Sequence, residues 1–213
     1  MIELEGVTVR AGSFVLEDVS LRIPAGSHAA LMGRTGSGKT TLMEAICGLR
    51  RVTAGRVRID GRDVTTASPG ARGIGLVPQD AALFGHLTVR EHLTFALELR
   101  GWTAGAMAAR VEALAGWLGI GGLLGRLPAG LSGGEARRVA LGRALSFHPR
   151  VLCLDEPLSA LDDETREGVC GLLEETRRRE GVTVLHITHS RSDAARLADV
   201  MLRLRDGRVE RET

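Results

Sequence analysis

A glycine-rich stretch near the start of the chain has the residue types and spacing that suit phosphate binding. In such a loop, glycines let backbone N–H groups turn towards phosphate oxygens, and the N-terminus of the following helix adds a favourable field. Lys39 can place its charge between the β- and γ-phosphates, and Thr40 can ligate Mg²⁺. The predicted nucleoside triphosphate site consists of Gly33, Arg34, Thr35, Gly36, Ser37, Gly38, Lys39, Thr40 and Thr41.

The composition singles out two residues. The sequence has 28 lysines and arginines, of which Lys39 is the one lysine, and Gln79 is its one glutamine. A surface charge can equally be arginine, so a lone lysine indicates a position that requires a compact ammonium group. The alternative, a glycine-rich turn with a surface lysine, does not explain why the lysine falls at the motif position.

A second candidate site follows the apolar run 151–154, which ends in Asp155 and Glu156. α/β proteins bind ligands at the carboxyl ends of parallel strands. We expect Asp155 to hold Mg²⁺, directly or through water, and Glu156 to accept a proton from the water that attacks the γ-phosphate. The alternative for this pair is a solvated turn or a helix cap.

The periodicity of the apolar residues places these motifs in a largely parallel α/β sheet. From about residue 87 to 127 the apolar residues recur every three or four positions, which indicates a helical insertion. We predict one α/β domain over residues 1–213, with an N-terminal antiparallel β-subdomain and a helical subdomain at about 87–148. Predicted strands are 2–10, 14–23, 27–32, 56–59, 74–77, 151–154, 182–188, 200–204 and 208–210, and further helices are 39–47, 133–146, 163–180 and 191–198.

Composition argues against several other classes of protein. Apolar residues make up 44% and charged residues 25% of the 213 residues, the balance of a soluble globular protein. No apolar run approaches the ~20 residues that span a bilayer, and we expect no signal peptide in residues 1–10. The net charge is +2 and the arginines are dispersed, so we expect no nucleic-acid partner. The three cysteines lack metal-site spacing and are expected to be reduced and buried.

The segment Leu131-Ser132-Gly133-Gly134-Glu135 connects these motifs to a known family. By itself it is a helix N-cap with an acid in the first turn. It follows the phosphate-binding loop by about 95 residues and precedes Asp155 by about 20. In that order and spacing it resembles the signature of the ATP-binding-cassette (ABC) family of P-loop NTPases, and the resemblance covers nearly the whole chain.

The resemblance implies further site residues and an assembly. Gln79 resembles the Q-loop glutamine, which senses Mg²⁺ and the attacking water, and Asp162, in Ser159-Ala160-Leu161-Asp162, resembles the D-loop aspartate at the dimer interface. His189 resembles the switch histidine that contacts the γ-phosphate. Cassettes of this family pair head to tail, and Ser132, Gly133 and Gly134 of one chain bind the γ-phosphate held by the other. The implied Mg²⁺ ligands are Thr40, Gln79 and Asp155, and the implied catalytic residues are Lys39, Gln79, Glu156 and His189.

Three positions leave alternatives or depart from the family pattern. Taken alone, His189 would be a structural hydrogen bonder, and its place one strand beyond the Asp-Glu strand is what favours the switch role. Ala11 stands where relatives usually stack adenine on an aromatic ring, and Phe14 is the nearest aromatic, so base selectivity stays open. The run 135–138, Glu-Ala-Arg-Arg, replaces a glutamine-rich version, from which we expect no catalytic consequence.

The stretch from residue 83 to 91 resembles bacterial importer ATPases for oxyanions, metals and small solutes. There, this region and the helical insertion receive a coupling helix of the membrane subunit; the alternative is that Phe84, Leu87 and Trp102 are core residues. The sequence continues about 24 residues past His189, so we expect no C-terminal regulatory domain.

The resemblance as a whole implies an ATP-hydrolysing transport subunit, and most closely an importer subunit. Its implied partners are a second copy of the chain, integral-membrane permease subunits and a solute-binding protein, at the cytoplasmic face of a membrane. The alternatives are an exporter ATPase, or an ABC ATPase of DNA repair, chromosome organisation or translation.

Overall fold

The structure of the chain, a computed structural model, describes residues 1–159 and 161–212. Its strands are β1 (Ile2–Ala11), β2 (Phe14–Ile23), β3 (His28–Met32), β4 (Val52–Ile59), β5 (Arg62–Asp63), β6 (Ile74–Val77), β7 (Val151–Asp155), β8 (Thr183–Ile187), β9 (Val200–Arg205) and β10 (Arg208–Glu212). Its α-helices are α1 (Lys39–Cys47), α2 (Val89–Glu98), α3 (Ala104–Trp117), α4 (Gly133–Leu145), α5 (Asp163–Glu180) and α6 (Arg191–Leu197). Short 3-10 turns lie at 69–71, 121–123 and 128–130.

The strands form two sheets. The first is antiparallel, with the strand order β2-β1-β4-β5. The second has the order β10-β9-β3-β8-β7-β6, and its strands are parallel except for the β9–β10 hairpin at the edge. The parallel order places the carboxyl ends of β3, β6, β7 and β8 at one edge, where the phosphate-binding loop, Gln79, Glu156 and His189 follow them.

The parallel sheet is covered on both faces, as its strand composition requires. Alternate residues of one strand point to opposite faces. On β7, Val151 and Cys153 belong to the cluster that contains β1, β2 and α1, whereas Leu152 and Leu154 belong to the cluster that contains α2 to α5. The sheet therefore lies between the antiparallel sheet with α1 on one side and the remaining large helices on the other.

Helix α4 lies unusually close to the sheet and to α2. A Cβ atom on Gly75 of β6 would lie 2.4 Å from the carbonyl oxygen of Ala144, and one on Gly142 would lie 2.7 Å from Leu93 Cδ2. A side chain at Gly75 would therefore require the backbone to move, and one at Gly142 would require the buried Leu93 and Leu118 side chains to shift. The missing side chains thus let α4 pack directly on β6, and this fixes the position of the helix that begins at Gly133.

The fold predicted from the sequence is confirmed as an α/β cassette with a mostly parallel core sheet. Most predicted elements agree with the structure to within one or two residues. β4 begins four residues earlier than predicted, because it extends along β1, and the two-residue strand β5 was missed. Helices α2 to α4 fall within the predicted helical subdomain, whose limits at about 87–148 stay a prediction. In the described ranges, no helix has the length and apolar character needed to cross a bilayer.

Candidate active site

The phosphate-binding loop joins the buried strand β3 to α1. Gly36 and Gly38 adopt left-handed φ angles of 79° and 99°, which favour glycine, and the Ser37 amide donates to the Arg34 carbonyl at 3.1 Å. Lys39 is 9% exposed, and its Nζ donates to the carbonyls of Gly33 and Arg34 at 3.0 and 3.1 Å. No side chain caps the N-terminus of α1. A loop that folds around its own lysine, below an uncapped helix end, is suited to an anion.

The ring of Phe14 lies against this loop. A Cβ on Gly38 would meet Phe14 Cε1 at 2.7 Å, so only glycine leaves room for the ring. Phe14 pairs with Ala11 across the β1–β2 hairpin, and both residues line the same cavity as Lys39. The ring is 37% exposed. An aromatic face is therefore present near the position where the family pattern has an aromatic and this chain has Ala11.

The cavity has a volume of about 470 Å³, and its lining combines apolar and polar side chains, which we call its apolar end and its polar end. Ala11 and Phe14 belong to the apolar end, and the polar end contains Gln79, Glu156 and His189. Gln79 is exposed. The residues that line the cavity are Ala11, Phe14, Thr35, Gly36, Gly38, Lys39, Thr40, Thr41, Gln79, Asp155, Glu156, Ile187 and His189.

Two oxygen-bearing side chains that line this cavity, those of Thr40 and Asp155, contact each other. Thr40 Oγ1 donates to Asp155 Oδ2 at 3.1 Å, which joins the start of α1 to the end of β7. Asp155 is 8% exposed, and burial raises the pKa of its carboxyl group, as does the charge of Glu156, while the Thr40 hydroxyl and Lys39 act in the opposite direction.

The donor chemistry of this pair fits Mg²⁺. Mg²⁺ prefers oxygen ligands and is usually held by one or two protein groups together with phosphate and water. Thr40 and Asp155 are such groups, and the Gln79 side chain supplies a further oxygen to the same cavity. Among the described residues no cluster of three or more His, Cys, Asp or Glu side chains could hold a metal by itself. Thr40 and Asp155 are the residues that would hold Mg²⁺, together with phosphate and water ligands.

Glu156 and His189 form the polar end of the cavity. His189 Nδ1 lies 2.8 Å from Glu156 Oε2. The Glu156 side chain is 15% exposed and the His189 side chain 68% exposed, so the carboxylate is partly shielded while the ring faces solvent. The Glu156 backbone has a left-handed φ of 48°. The structure thus places together the two residues that the sequence assigned to proton transfer and to the γ-phosphate.

The signature residues lie elsewhere. Ser132, Gly133 and Gly134 are not among the residues that line the cavity, and Ser132 is exposed. The Ser132 side chain accepts from the Glu135 amide at 3.2 Å, and Glu135 Oε2 accepts from the Ser132 amide at 2.7 Å. This capping box satisfies two donors of the first turn within the chain. The structure thus confirms Ser132 as the N-cap with Glu135 in the first turn, and adds the reciprocal bond from Glu135 to the Ser132 amide.

Asp162 is the N-cap of α5. Its carboxylate accepts from the Thr165 amide at 2.9 Å and from the Thr165 hydroxyl at 2.7 Å, and these bonds lower its pKa. The side chain is exposed. Ala160, which the sequence interpretation includes in the same loop, lies outside the described residues. The interface role of Asp162 stays a prediction.

Two arginines of α4 reach turns beside the cavity, and sequence analysis assigned no role to either contact. Arg137 Nη1 donates to the Glu156 carbonyl at 3.1 Å. Arg143 donates to the carbonyls of Ala81 and Ala82, which follow Gln79 and have left-handed φ angles of 61° and 42°. Neither contact has a signal in the sequence, because each depends on how α4 lies against the sheet.

An apolar patch is exposed beside the segment that follows Gln79. Phe84 and Phe95 are each 41% exposed with ring centroids 5.6 Å apart, and Leu99 is 74% exposed. The Phe84 amide donates to His92 Nε2 at 2.8 Å, and Arg143 lies over the Phe84 ring at 5.6 Å from its centroid. Phe84 is therefore a partly exposed residue that is fixed by these contacts, and not a core residue. Leu87 and Trp102 are intermediate in exposure.

The fold and this cavity define a P-loop nucleotide-binding protein whose site is exposed to solvent at its His189 end. The model of the family described as ABC transporter matches residues 16–159, two thirds of the chain. The chain belongs to the ABC transporter family, as the signature and the order of the motifs predicted.

Two relatives in this family are import ATP-binding proteins. The chain is 43% identical over 210 residues to the sulfate/thiosulfate import ATP-binding protein CysA of Synechococcus elongatus, covering 98% of this chain and 61% of that protein. It is also 43% identical over 210 residues to the Fe(3+) ions import ATP-binding protein FbpC of Streptomyces coelicolor, covering 98% of this chain and 60% of that protein. The chain therefore spans about 60% of the length of these curated relatives.

Solved structures agree with the fold. A dimeric, post-hydrolysis state of the ATP-binding cassette MJ0796 bound to ADP and Pi has a TM-score of 0.87 and 30% sequence identity, and the match covers 100% of this chain and 98% of that one. A further dimeric structure of MJ0796, a bacterial ABC transporter cassette, also has a TM-score of 0.87, with 31% identity over the same shares of the two chains. The likeness extends over the whole described structure.

Proposed function

We propose that this chain binds Mg-ATP and hydrolyses it to power solute transport across a membrane, as one of two cassettes docked on permease subunits. The observation that carries the proposal is the single cavity that combines Lys39 and Thr40 with Asp155, Glu156, Gln79 and His189. Each of these groups has the chemistry that one part of a triphosphate or its attacking water requires.

The binding steps follow from the chain's own residues. The loop amides and the N-terminus of α1 hold the phosphates, and Lys39 exchanges its two carbonyl partners for phosphate oxygens, since a negatively charged acceptor binds an ammonium more strongly than a neutral one. Phe14 offers its face to the base at the apolar end of the cavity. The γ-phosphate then lies towards the polar end.

The hydrolytic step depends on the polar end. Glu156 accepts a proton from the attacking water, while His189, hydrogen-bonded to the same carboxylate, orients it and faces the γ-phosphate. Gln79 lies at the rim, where it can sense both the water and the state of the following segment. When bound, Mg²⁺ neutralises developing phosphate charge, and Thr40 and Asp155 are the groups that hold it, with Gln79 as a third oxygen donor.

A second copy completes the site. Ser132, Gly133 and Gly134 lie outside the cavity of their own chain, and Ser132 and Gly133 are exposed. The MJ0796 cassette is a dimer in its post-hydrolysis state with ADP and Pi, which supports a paired state for a chain of such similar structure. In a head-to-tail pair, the signature end of one α4 would face the γ-phosphate held by the partner chain, so ATP would stabilise the closed pair and hydrolysis would release it.

Transport and its direction rest on the relatives. CysA and FbpC are named as import ATP-binding proteins for sulfate/thiosulfate and for Fe(3+) ions, which favours an importer over an exporter. The exposed patch of Phe84, Phe95 and Leu99 beside the Gln79 segment fits an apolar helix of a permease. A solute-binding protein would belong to such an importer, and the chain would lie peripherally on the cytoplasmic face of the membrane.

Mixing two inactive variants tests the shared site. Each mixed pair of Lys39→Ala and Ser132→Arg chains has one intact site and one doubly damaged site. ATP hydrolysis should therefore return on mixing. The matched control mixes Lys39→Ala with the double variant Lys39→Ala/Ser132→Arg, which leaves no intact site. If confirmed mixed pairs hydrolyse no ATP, a site shared between chains is contradicted. If no integral-membrane protein co-purifies with the chain, the transport role is contradicted.

A further inference from the structure

The backbone of Glu156 is held by an unusual number of partners. Its amide donates to the Ile187 carbonyl at 3.0 Å. Its carbonyl accepts three hydrogen bonds, from the Ser159 amide at 3.1 Å, from the Ser159 hydroxyl at 2.8 Å and from Arg137 Nη1 at 3.1 Å. Two of these donors belong to the local turn, but Arg137 comes from α4, 19 residues away in sequence.

This turn requires such support because its conformation is strained. Glu156 has a φ of 48°, in the left-handed region that L-residues other than glycine rarely adopt. Non-glycine residues keep such angles only when their surroundings hold them. The direction of the Glu156 side chain depends on that backbone angle, so the same hydrogen bonds that hold the turn also aim the carboxylate at His189 and the cavity.

The position of Arg137 on α4 links this turn to the exposed signature end of the same helix. α4 has Ser132 as its N-cap, and Arg137 follows five residues later, about 7 Å along the helix axis. The exposed signature end and the guanidinium that reaches Glu156 are therefore parts of one rigid helix. Burial lowers the pKa of Arg137, yet a guanidinium keeps its charge, so its contact with the carbonyl is a charge-assisted hydrogen bond.

A second arginine of the same helix makes a parallel contact. Arg143 donates to the Ala82 carbonyl at 2.6 Å and to the Ala81 carbonyl at 3.0 Å, and both alanines have left-handed φ angles. The two strained turns that border the cavity, one after Gln79 and one at Glu156, are thus both held by α4. Because two arginines of one helix make the same kind of contact, the Arg137 hydrogen bond is better explained as part of the way α4 supports these turns than as a chance contact.

We propose that Arg137 is a positioning residue: it ties the Glu156 turn to α4, so that the signature end of the helix and the carboxylate of the same chain keep a fixed relation. The proposal rests on the hydrolytic function proposed above. In a head-to-tail pair, the signature end contacts the partner's nucleotide, and Arg137 then transmits the placement of that end to the chain's own Glu156. This replaces the expectation that the Arg137-Arg138 version of the helix has no catalytic consequence.

Kinetics of three variants test the role. Arg137→Leu removes the donor, Arg137→Lys keeps a cationic donor, and Arg138→Leu removes the neighbouring arginine, for which the described residues show no hydrogen bond to Glu156. We expect Arg137→Leu to lower kcat about tenfold, the effect of one hydrogen bond, with KM for Mg-ATP within twofold. Arg137→Lys should recover a large part of the loss, and Arg138→Leu should stay within twofold of the original kcat.

Several results would overturn the proposal. An unchanged kcat in Arg137→Leu, an equal loss in Arg138→Leu, no recovery in Arg137→Lys, or a loss that appears only in KM each contradicts positioning of Glu156. If the original chain itself hydrolyses no ATP, the proposed function fails, and that outcome is distinct from these.

A second variant keeps the test decisive if Arg137→Leu folds poorly. Ser159→Ala removes another donor to the same carbonyl without touching α4. Because two donors then share the work of holding the turn, adding Arg137→Lys to Ser159→Ala should lower kcat by more than the product of the two separate effects. Strictly multiplicative effects contradict a common action on the Glu156 carbonyl.

Discussion

His189 Nδ1 and Glu156 Oε2 lie 2.8 Å apart, although 33 residues separate them in the sequence. The parallel pairing of β7 with β8 sets Asp155 opposite Ile187, and each strand is followed within two residues by one member of the pair. The sheet register therefore builds this contact. Because the two side chains are hydrogen-bonded, the effect of a substitution at one of them should depend on whether the other is present.

Glu156→Gln should retain ATP binding and lose hydrolysis. Glutamine keeps the shape and one hydrogen-bonding oxygen but accepts no proton, so turnover should fall at least ~10²-fold. Steady-state phosphate release and nucleotide affinity measure the two effects. Glu210→Gln, an exposed substitution on β10, is the matched control. Normal turnover in Glu156→Gln contradicts the assigned role.

His189→Ala should act through the same carboxylate. Removing the imidazole leaves Glu156 Oε2 without its partner, and we expect kcat to fall by about tenfold or more. In the background of Glu156→Gln the same change should cost far less, because residues that act as a unit are non-additive. Equal losses in both backgrounds would show that His189 acts independently of Glu156.

Phe14→Ala should weaken the binding of the base and leave the phosphate interactions intact. Loss of one stacking ring costs about 1 kcal/mol, or several-fold in affinity for ATP, while the affinity for inorganic tripolyphosphate should change little. Phe95→Ala, at a ring of similar exposure outside the cavity, is the control. If tripolyphosphate binding falls as much as ATP binding, the ring supports the loop through Gly38 rather than the base.

Two buried histidines should make the fold sensitive to acid. Burial lowers the pKa of His28 to about 4 and that of His186 to about 3, with Arg177 and the neighbouring histidine acting in the same direction and Asp193 opposing it at His186. The folded values lie below the ordinary 6.5, so their stabilising effect is complete above pH 6.5 and is lost as pH falls towards 4. Each histidine should cost about 2 kcal/mol of unfolding free energy between pH 7 and pH 5.

Denaturant titrations at both pH values measure this loss. His186→Leu should reduce the difference between pH 7 and pH 5, because it removes one group that the unfolded chain protonates and the folded chain does not. His86→Leu, at an exposed histidine, is the matched control. The same pH dependence in His186→Leu as in the original chain would assign the acid sensitivity to other groups.

Much of the site was predictable because its motifs are contiguous or end a buried strand. The loop at residues 33–41 contains its own glycines, lysine and hydroxyl, and Asp155 and Glu156 follow an apolar run directly. To place these two motifs at the same edge of the sheet, the sequence analysis needed only the rule that ligands bind at the carboxyl ends of parallel strands. The family resemblance supplied Gln79, Asp162 and His189, whose own sequence contexts are too short to be decisive.

The missed contacts depend on packing that no local pattern encodes. Arg143 lies 61 residues from Ala82, and its hydrogen bond exists because Gly75 and Gly142 let α4 approach β6 and α2 closely. The N-cap at Ser132 was predicted from its pattern, since a serine precedes a glutamate by three residues at a helix start, but the second bond of the capping box, from Glu135 back to the Ser132 amide, was not. The short strand β5 follows a tight turn and has two residues, too few for a periodicity.

Because the chain has a single lysine, the phosphate-binding loop can be probed selectively by chemical modification. In this sequence, amine-directed acylation has one side-chain target, the Nζ that now bonds the Gly33 and Arg34 carbonyls. The mass of the proteolytic peptide that contains Lys39, after a short exposure of the folded chain to such a reagent, therefore measures loop occupancy without a label, a fluorophore or a substitution.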